Sequence, residues 1–232
     1  MTGTSGFARL DDGATVLPTT LLTDLRRIGA DDGPSDDVLE VVAACMRHRE
    51  PALLCLKYEG LVWPVTLFPM NMLYHSPRDM ALAAGAALGR VSLLSAEPPG
   101  VRPPGHWMHE RVANTEHYRS LAPLLWSLAI DGPRTTLLNE ISGTAAYRAL
   151  RSPSEVGVTM TGALGSAAER LRRETVSVRT IASWPGMSAE RAVRLLNGLY
   201  LSSALLATRA HPAARSEPRG LRVMWRDSRS RR

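Results

Sequence analysis

The chain reads as an α+β protein, a small antiparallel sheet with flanking helices followed by a mostly helical C-terminal region. Three observations predict this. Residues 52–74 form an apolar, β-branched and aromatic block interrupted by Glu59-Gly60, the pattern of successive antiparallel strands. Before that block, and again after residue 115, apolar residues recur at helical spacing. Between the two lies a proline-rich stretch, residues 97–105, with the composition of an extended spacer.

In chain order, residues 17–25 hold one short helix. Ser35, Asp36 or Asp37 can cap the next, over residues 37–49, where acids suit the positive end of the helix dipole. Val38, Val41, Val42 and Cys45 give its apolar stripe, and Pro51 ends it. Residues 52–58, 61–68 and 70–74 follow as strands. Pro64 and Pro69 cannot donate ladder hydrogen bonds, which puts them at an edge or bulge. Ser76-Pro77-Arg78-Asp79 opens an Ala/Leu/Gly-rich helix running to about residue 94.

The four prolines of residues 97–105 mark a domain boundary. The expected organisation is a small α+β domain over 1–97, a linker and His-rich loop over 98–115, a helical region over 116–226 and a basic tail over 227–232. Within the helical region, a helix starts at Thr115-Glu116 and runs to Ile130, where Asp131-Gly132-Pro133 stops it. Residues 135–141 and 145–150 give two short helical pieces. Residues 161–173 follow as a helix with Leu164, Ala168 and Leu171 on one face. A short helix over 177–183, a turn at Trp184-Pro185-Gly186-Met187 and the longest helix, opened by Ser188, come next. Ala192, Leu195, Leu196 and Leu199 form the stripe of that last helix, and residues 204–207 and 221–225 are strand candidates beyond it.

Composition sets limits on function. The 232 residues are 44% hydrophobic, enough for a packed core. The longest apolar runs, 51–56 and 121–130, fall short of the roughly 20 residues a membrane span needs. No signal-peptide pattern opens the chain, so the cytoplasm is the expected location, and Cys45 and Cys55 are expected as reduced core thiols. Charge is unevenly placed. Residues 170–232 hold fourteen arginines against Glu174, Glu190, Glu217 and Asp227, a net +10, so the first 169 residues carry −4 of the overall +6. A basic end of this kind attracts polyanions and steers association with acidic proteins.

Short helix, tight turn, long helix and then two strands joined by a loop carrying Arg209, His211, Arg215 and Arg219 resembles the winged-helix superfamily, over about residues 160–226. The phrase from Met187 to Leu206, with its paired leucines running into a strand, carries the resemblance. It implies partner or nucleic-acid contacts from Ser188, Arg191 and Arg194 on the second helix, and phosphate contacts from Arg209, Arg215 and Arg219 on the wing. The plainer alternative for Arg194 is an ion pair with Glu190, one helical turn earlier. The whole layout, with Leu124-Leu-Trp-Ser-Leu-Ala-Ile-Asp-Gly and Leu137-Leu-Asn-Glu-Ile before the winged helix, is similar to bacterial regulatory proteins of the PatA/DUF4388 kind. That similarity implies a protein partner: a small GTPase, a roadblock-type protein or a response regulator.

Catalytic motifs are weak throughout. His106, His109 and His117 cluster beside Glu110 and Glu116, but in an order that does not match the His-Glu-x-x-His metal-binding helix. His75, Ser76 and Asp79 lack the Gly-x-Ser-x-Gly elbow of a hydrolase nucleophile. No Gly-Lys-Ser/Thr phosphate loop occurs. Trp107, between His106 and Met108, is a candidate contact anchor. The expectation is a non-enzymatic cytoplasmic signalling adaptor or regulator without cofactor or metal, with a DNA-binding transcriptional regulator as the alternative. An enzyme using the His106–His117 loop is the third and weakest class.

Overall fold

The computed structural model describes residues 16–29, 37–80, 88, 90–106 and 115–215. Helices and antiparallel sheets are mixed, as an α+β protein requires. Helix α1 (Thr19–Gly29) leads to α2 (Val38–His48), capped by Asp37, whose carboxylate accepts from the Glu40 N–H. Strands β1 (Ala52–Tyr58), β2 (Leu61–Phe68), β3 (Leu73–His75), β4 (Ser92–Glu97) and β5 (Tyr118–Ser120) form one sheet in the order β4-β1-β2-β3-β5. Its inner face buries Ala52, Leu54, Leu56, Trp63, Val65 and Leu67 at period two, because alternate residues of a strand point the same way.

Proline placement follows from pairing. Pro64 stands opposite Cys55 on β1, and β3 covers only Thr66–Phe68 on the other side of β2. The strand is therefore an open edge at Pro64, where a missing donor costs nothing. Pro69 opens a short 3-10 turn, Pro69–Asn71, that ends the strand.

Three sequence-based expectations are corrected in this half. The helix expected to reach residue 94 gives way at Ser92 to β4, which pairs with β1 from Leu53 to Lys57; residues 81–87 and 89 lie outside the described set. The helix expected from residue 115 begins only at α3 (Leu121–Asp131). In the longer version Pro123 would be interior and would remove an intrahelical bond, whereas in α3 it lies in the first turn. The three residues before α3 pair with β3 as β5. Because β5 follows the proline-rich stretch yet completes the sheet that precedes it, the expected boundary there does not separate two cores. One hydrophobic cluster includes Leu54, Leu125, Leu171 and Leu196 together.

Helix α2 explains that shared core. Val38 through Cys45 are all buried, so the helix is covered all round. Helix α1 packs against α2, the apolar residues of α2 join the common cluster, and the later chain bonds its polar side chains. Glu40 accepts from Asn139 N–H at 2.8 Å, while Arg47 pairs with Glu140 and Arg134 with Asp37.

The C-terminal region contains β6 (Ala146–Ala149), α4 (Gly162–Arg173), β7 (Val176–Ser177), α5 (Val178–Ala182), α6 (Ala189–Leu201) and β8 (Leu205–Thr208). Residues 145–150, expected as helix, are instead the middle strand of a second sheet in the order β7-β6-β8. Tyr147 and Ala149 face the core there, and the Tyr147 hydroxyl donates to Ile141 O at 2.5 Å. Residues 135–141, also expected as helix, contain only the 3-10 turn Asn139–Ile141. β8 forms as expected, but its partner is β6, which precedes the helices. The strand expected at 221–225 lies outside the described residues.

Candidate functional site

The strongest sequence-based candidate is the pair of helices α5 and α6 with the turn between them. Local chemistry builds it. Ser177 Oγ accepts from Thr180 N–H and Ser188 Oγ accepts from Arg191 N–H, so each helix starts on a serine cap. Gly186 supplies the positive φ of 73° that the turn needs, and a Cβ there would come within 2.7 Å of Ala163 Cβ. Ala192, Leu195, Leu196 and Leu199 are fully buried, as the helical spacing predicts.

The candidate residues separate in space. Ser188 is the helix cap. Arg191 is exposed and donates to Gly186 O at 2.6 Å, closing its own turn. Arg194 turns inward. Its guanidinium pairs with Glu190 at 2.9 Å and donates to Ile130 O at 2.5 Å and Gly132 O at 2.9 Å, with only 16% of the side chain exposed. It clamps α6 to the C-terminal end of α3 and is not presented to a partner. Arg209 is exposed beside Glu140 O and Ser142 O, at 3.4 and 3.5 Å. Arg215 is exposed and its side chain has no hydrogen bond or ion pair among the described residues. Arg219 and Trp107 lie outside the described residues.

Helix α6 carries less free surface than its sequence suggests. Leu195, Leu196, Asn197, Gly198 and Leu199 are buried in succession. At about 100° per residue, five consecutive positions go right round the helix. Asn197 is fully buried, accepting from Leu138 N–H at 3.0 Å and donating to Thr136 O at 3.0 Å. Gly198 lies against the Trp126 ring of α3. The segment 136–138, helix α3 and helix α5 thus cover α6 together. Fully exposed positions are confined to its start, at Ser188 through Arg191, while Val193, Arg194 and Tyr200 are half-buried.

The charge of the C-terminal third is also partly consumed internally. Arg170 pairs with Glu174 at 3.1 Å and stacks over Trp184 at 4.6 Å; Arg172 pairs with Glu169 at 3.2 Å and Glu155 at 3.6 Å. Arg173, Arg179 and Arg215 carry no such partner among the described residues.

Chemistry elsewhere does not assemble. Among the described residues no three His, Cys, Asp or Glu side chains converge as metal ligands, and His109 and Glu110 lie outside them. The His117 and Tyr118 rings meet His75 edge-on and tilted, at ring separations of 5.6 and 4.8 Å. Asp79 accepts from the Tyr74 hydroxyl at 3.0 Å and lies 3.5 Å from Arg119. Cys45 and Cys55 are free thiols on different elements.

Sequence reasoning passed over a groove of about 580 Å³ lined by Arg148, Leu150, Glu169, Arg172, Arg173 and Leu206. Its residues come from β6, α4 and β8. The only local signal was the sequence Tyr147-Arg148-Ala149-Leu150, whose alternate residues point to opposite faces once the segment is a strand, Tyr147 and Ala149 inward, Arg148 and Leu150 outward.

No family model, curated protein or solved structure matches the chain. No helix among the described residues is long and apolar enough to cross a membrane.

Proposed function

We propose that this chain is a non-enzymatic, cytoplasmic signalling adaptor or regulator that works through protein contacts. The engagement of the side chains in the first turns of α6 carries the reading. A recognition helix contacts base edges mainly from its N-terminal residues, whose side chains must be free to reach out. Here Ser188 caps the helix, Arg191 bonds the Gly186 carbonyl, and Arg194, the most central candidate, bonds backbone carbonyls of α3. That argues for a helix pair that supports a binding surface over one that enters DNA. The partner class implied by the resemblance to PatA/DUF4388-like regulators is a small GTPase, a roadblock-type protein or a response regulator.

The alternative, a winged-helix DNA-binding regulator, rests on the +10 of residues 170–232. Phosphate binding is steeply salt-dependent, so mobility shifts at two salt concentrations separate the readings. The adaptor reading expects no retarded band at low salt and a stoichiometric protein co-purifying with the tagged chain. A retarded band whose salt slope shrinks on Arg191→Ala and Arg209→Ala establishes the DNA reading instead.

A further inference from the structure

We infer that the groove between α4 and the outer face of the second sheet is the docking surface for an acidic, leucine-type apolar segment of a partner protein. The inference rests on the adaptor reading above and gives its contact surface and the chemistry of what it holds.

The sheet register builds the floor. Arg148 of β6 stands directly opposite Leu206 of β8, so the two side chains share one face, away from Tyr147 and Ala149 in the core. Leu150 follows where the strand ends, its N–H bonded to Ala204 O at 2.8 Å. Leu150 is 57% and Leu206 45% exposed, and both line the same groove. Single exposed leucines are ordinary, but two sharing one concave site rimmed by charge are the pattern of an interaction surface.

Helix α4 builds the wall. Ala167, Ala168 and Leu171 turn to the core, which leaves Glu169, Arg172 and Arg173 outward. Arg172 is neutralised by Glu155 and Glu169. Among the described residues Arg148 donates only to Arg172 O, at 3.3 Å, and Arg173 has no partner. Two exposed guanidinium groups therefore stand over two exposed leucines with no carboxylate paired to them among the described residues.

Charge complementarity selects the occupant. Guanidinium groups accept carboxylates in a two-pronged geometry, and apolar side chains fill the floor between them. A duplex fits less well. Phosphates make no use of the leucines. Arginine is among the residues enriched at protein-binding hot spots.

The test uses the full chain and a fluorescently labelled synthetic peptide alternating Glu and Leu. Control peptides alternate Glu and Ser, or Lys and Leu. Anisotropy should report binding of the Glu/Leu peptide alone. Affinity should fall at least about tenfold in Arg148→Glu/Arg173→Glu, and similarly in Leu150→Ser/Leu206→Ser. Far-UV circular dichroism confirms that each variant is folded, and the charge-reversed variant should gain affinity for the Lys/Leu peptide, which an unfolded chain would not show selectively. No binding by the wild type, equal binding by the variants, or displacement of the peptide by duplex DNA overturns the inference. Co-purification separates the two levels. A partner retained in full by Arg148→Glu/Arg173→Glu removes this groove and leaves the adaptor reading standing, whereas a wild-type chain that holds neither peptide nor partner removes both.

Discussion

Gly198 of α6 packs directly on Trp126 of α3. A Cβ built on Gly198 would lie 2.6 Å from two atoms of the indole ring, closer than real side chains approach. Glycine in mid-helix ordinarily costs about 1 kcal/mol relative to alanine, so its presence here marks the close crossing of two helices. Gly198→Ala is expected to destabilise by about 1–3 kcal/mol despite the better helix propensity, because the added methyl would overlap the buried Trp126 ring. Urea denaturation reads the loss. Pairing the substitution with Trp126→Leu should recover part of it, since the two residues touch and their effects do not add.

Asn197, one residue earlier, holds the segment 136–138 to the same helix by one donated and one accepted bond. Asn197→Leu keeps the branched shape but is bulkier, and it leaves Leu138 N–H and Thr136 O without that partner. A loss of about 1–3 kcal/mol is expected, mainly from the buried Leu138 N–H, since Thr136 O still accepts from Arg134 Nε. An unchanged denaturation midpoint would show that water replaces the amide.

Arg194 separates a structural role from a contact role. Its guanidinium bonds the carbonyls of Ile130 and Gly132, so Arg194→Ala should lower stability by about 1–3 kcal/mol. Arg191→Ala, on an exposed turn, should change stability by less than about 0.5 kcal/mol. Thermal melts of the two variants side by side test this. Equal melting points would return Arg194 to the list of free surface cations.

Glu40 links stability to pH. Burial is the main cause that raises its pKa above the ordinary 4.5, and the Asn139 N–H and Arg134 oppose it only in part. A carboxyl whose folded pKa lies above its unfolded value is favoured protonated in the fold, so its contribution falls as pH rises through that interval. Glu40→Gln resembles the protonated acid. The variant should match the wild type at the acid end and gain on it as pH climbs past the raised value. Denaturation midpoints across about pH 3 to 7 measure the difference. A gap that widens toward acid would reverse the assigned sign.

Cys45 and Cys55 should differ in reactivity. Complete burial in α2 pushes the Cys45 thiol up to about 12, while Cys55 on β1 is only partly buried. The thiolate is the reactive form, so iodoacetamide should label Cys55 in the native protein and Cys45 only after unfolding. Peptide mapping by mass spectrometry distinguishes the two.

Much of this architecture is legible locally. Asp37 and Ser188 announce their helices because a cap and its first turn lie within four residues of each other. The stripe Ala192, Leu195, Leu196 and Leu199 predicts its own burial for the same reason, as does the block that becomes β1 and β2. What the tertiary structure alone decided involves partners distant in the chain. Residues 145–150 suit a helix by composition, yet they are a strand because β7 and β8 offer an open edge on either side. Residues 118–120 and 92–94 become strands where β3 and β1 have unpaired backbone to satisfy. The orientation of Arg194, and the covering of α6 by Trp126 and Asn197's partners, depend on contacts spanning some sixty residues. A chain can declare its elements through neighbours, but which faces stay free is settled only when distant segments compete for the same surface.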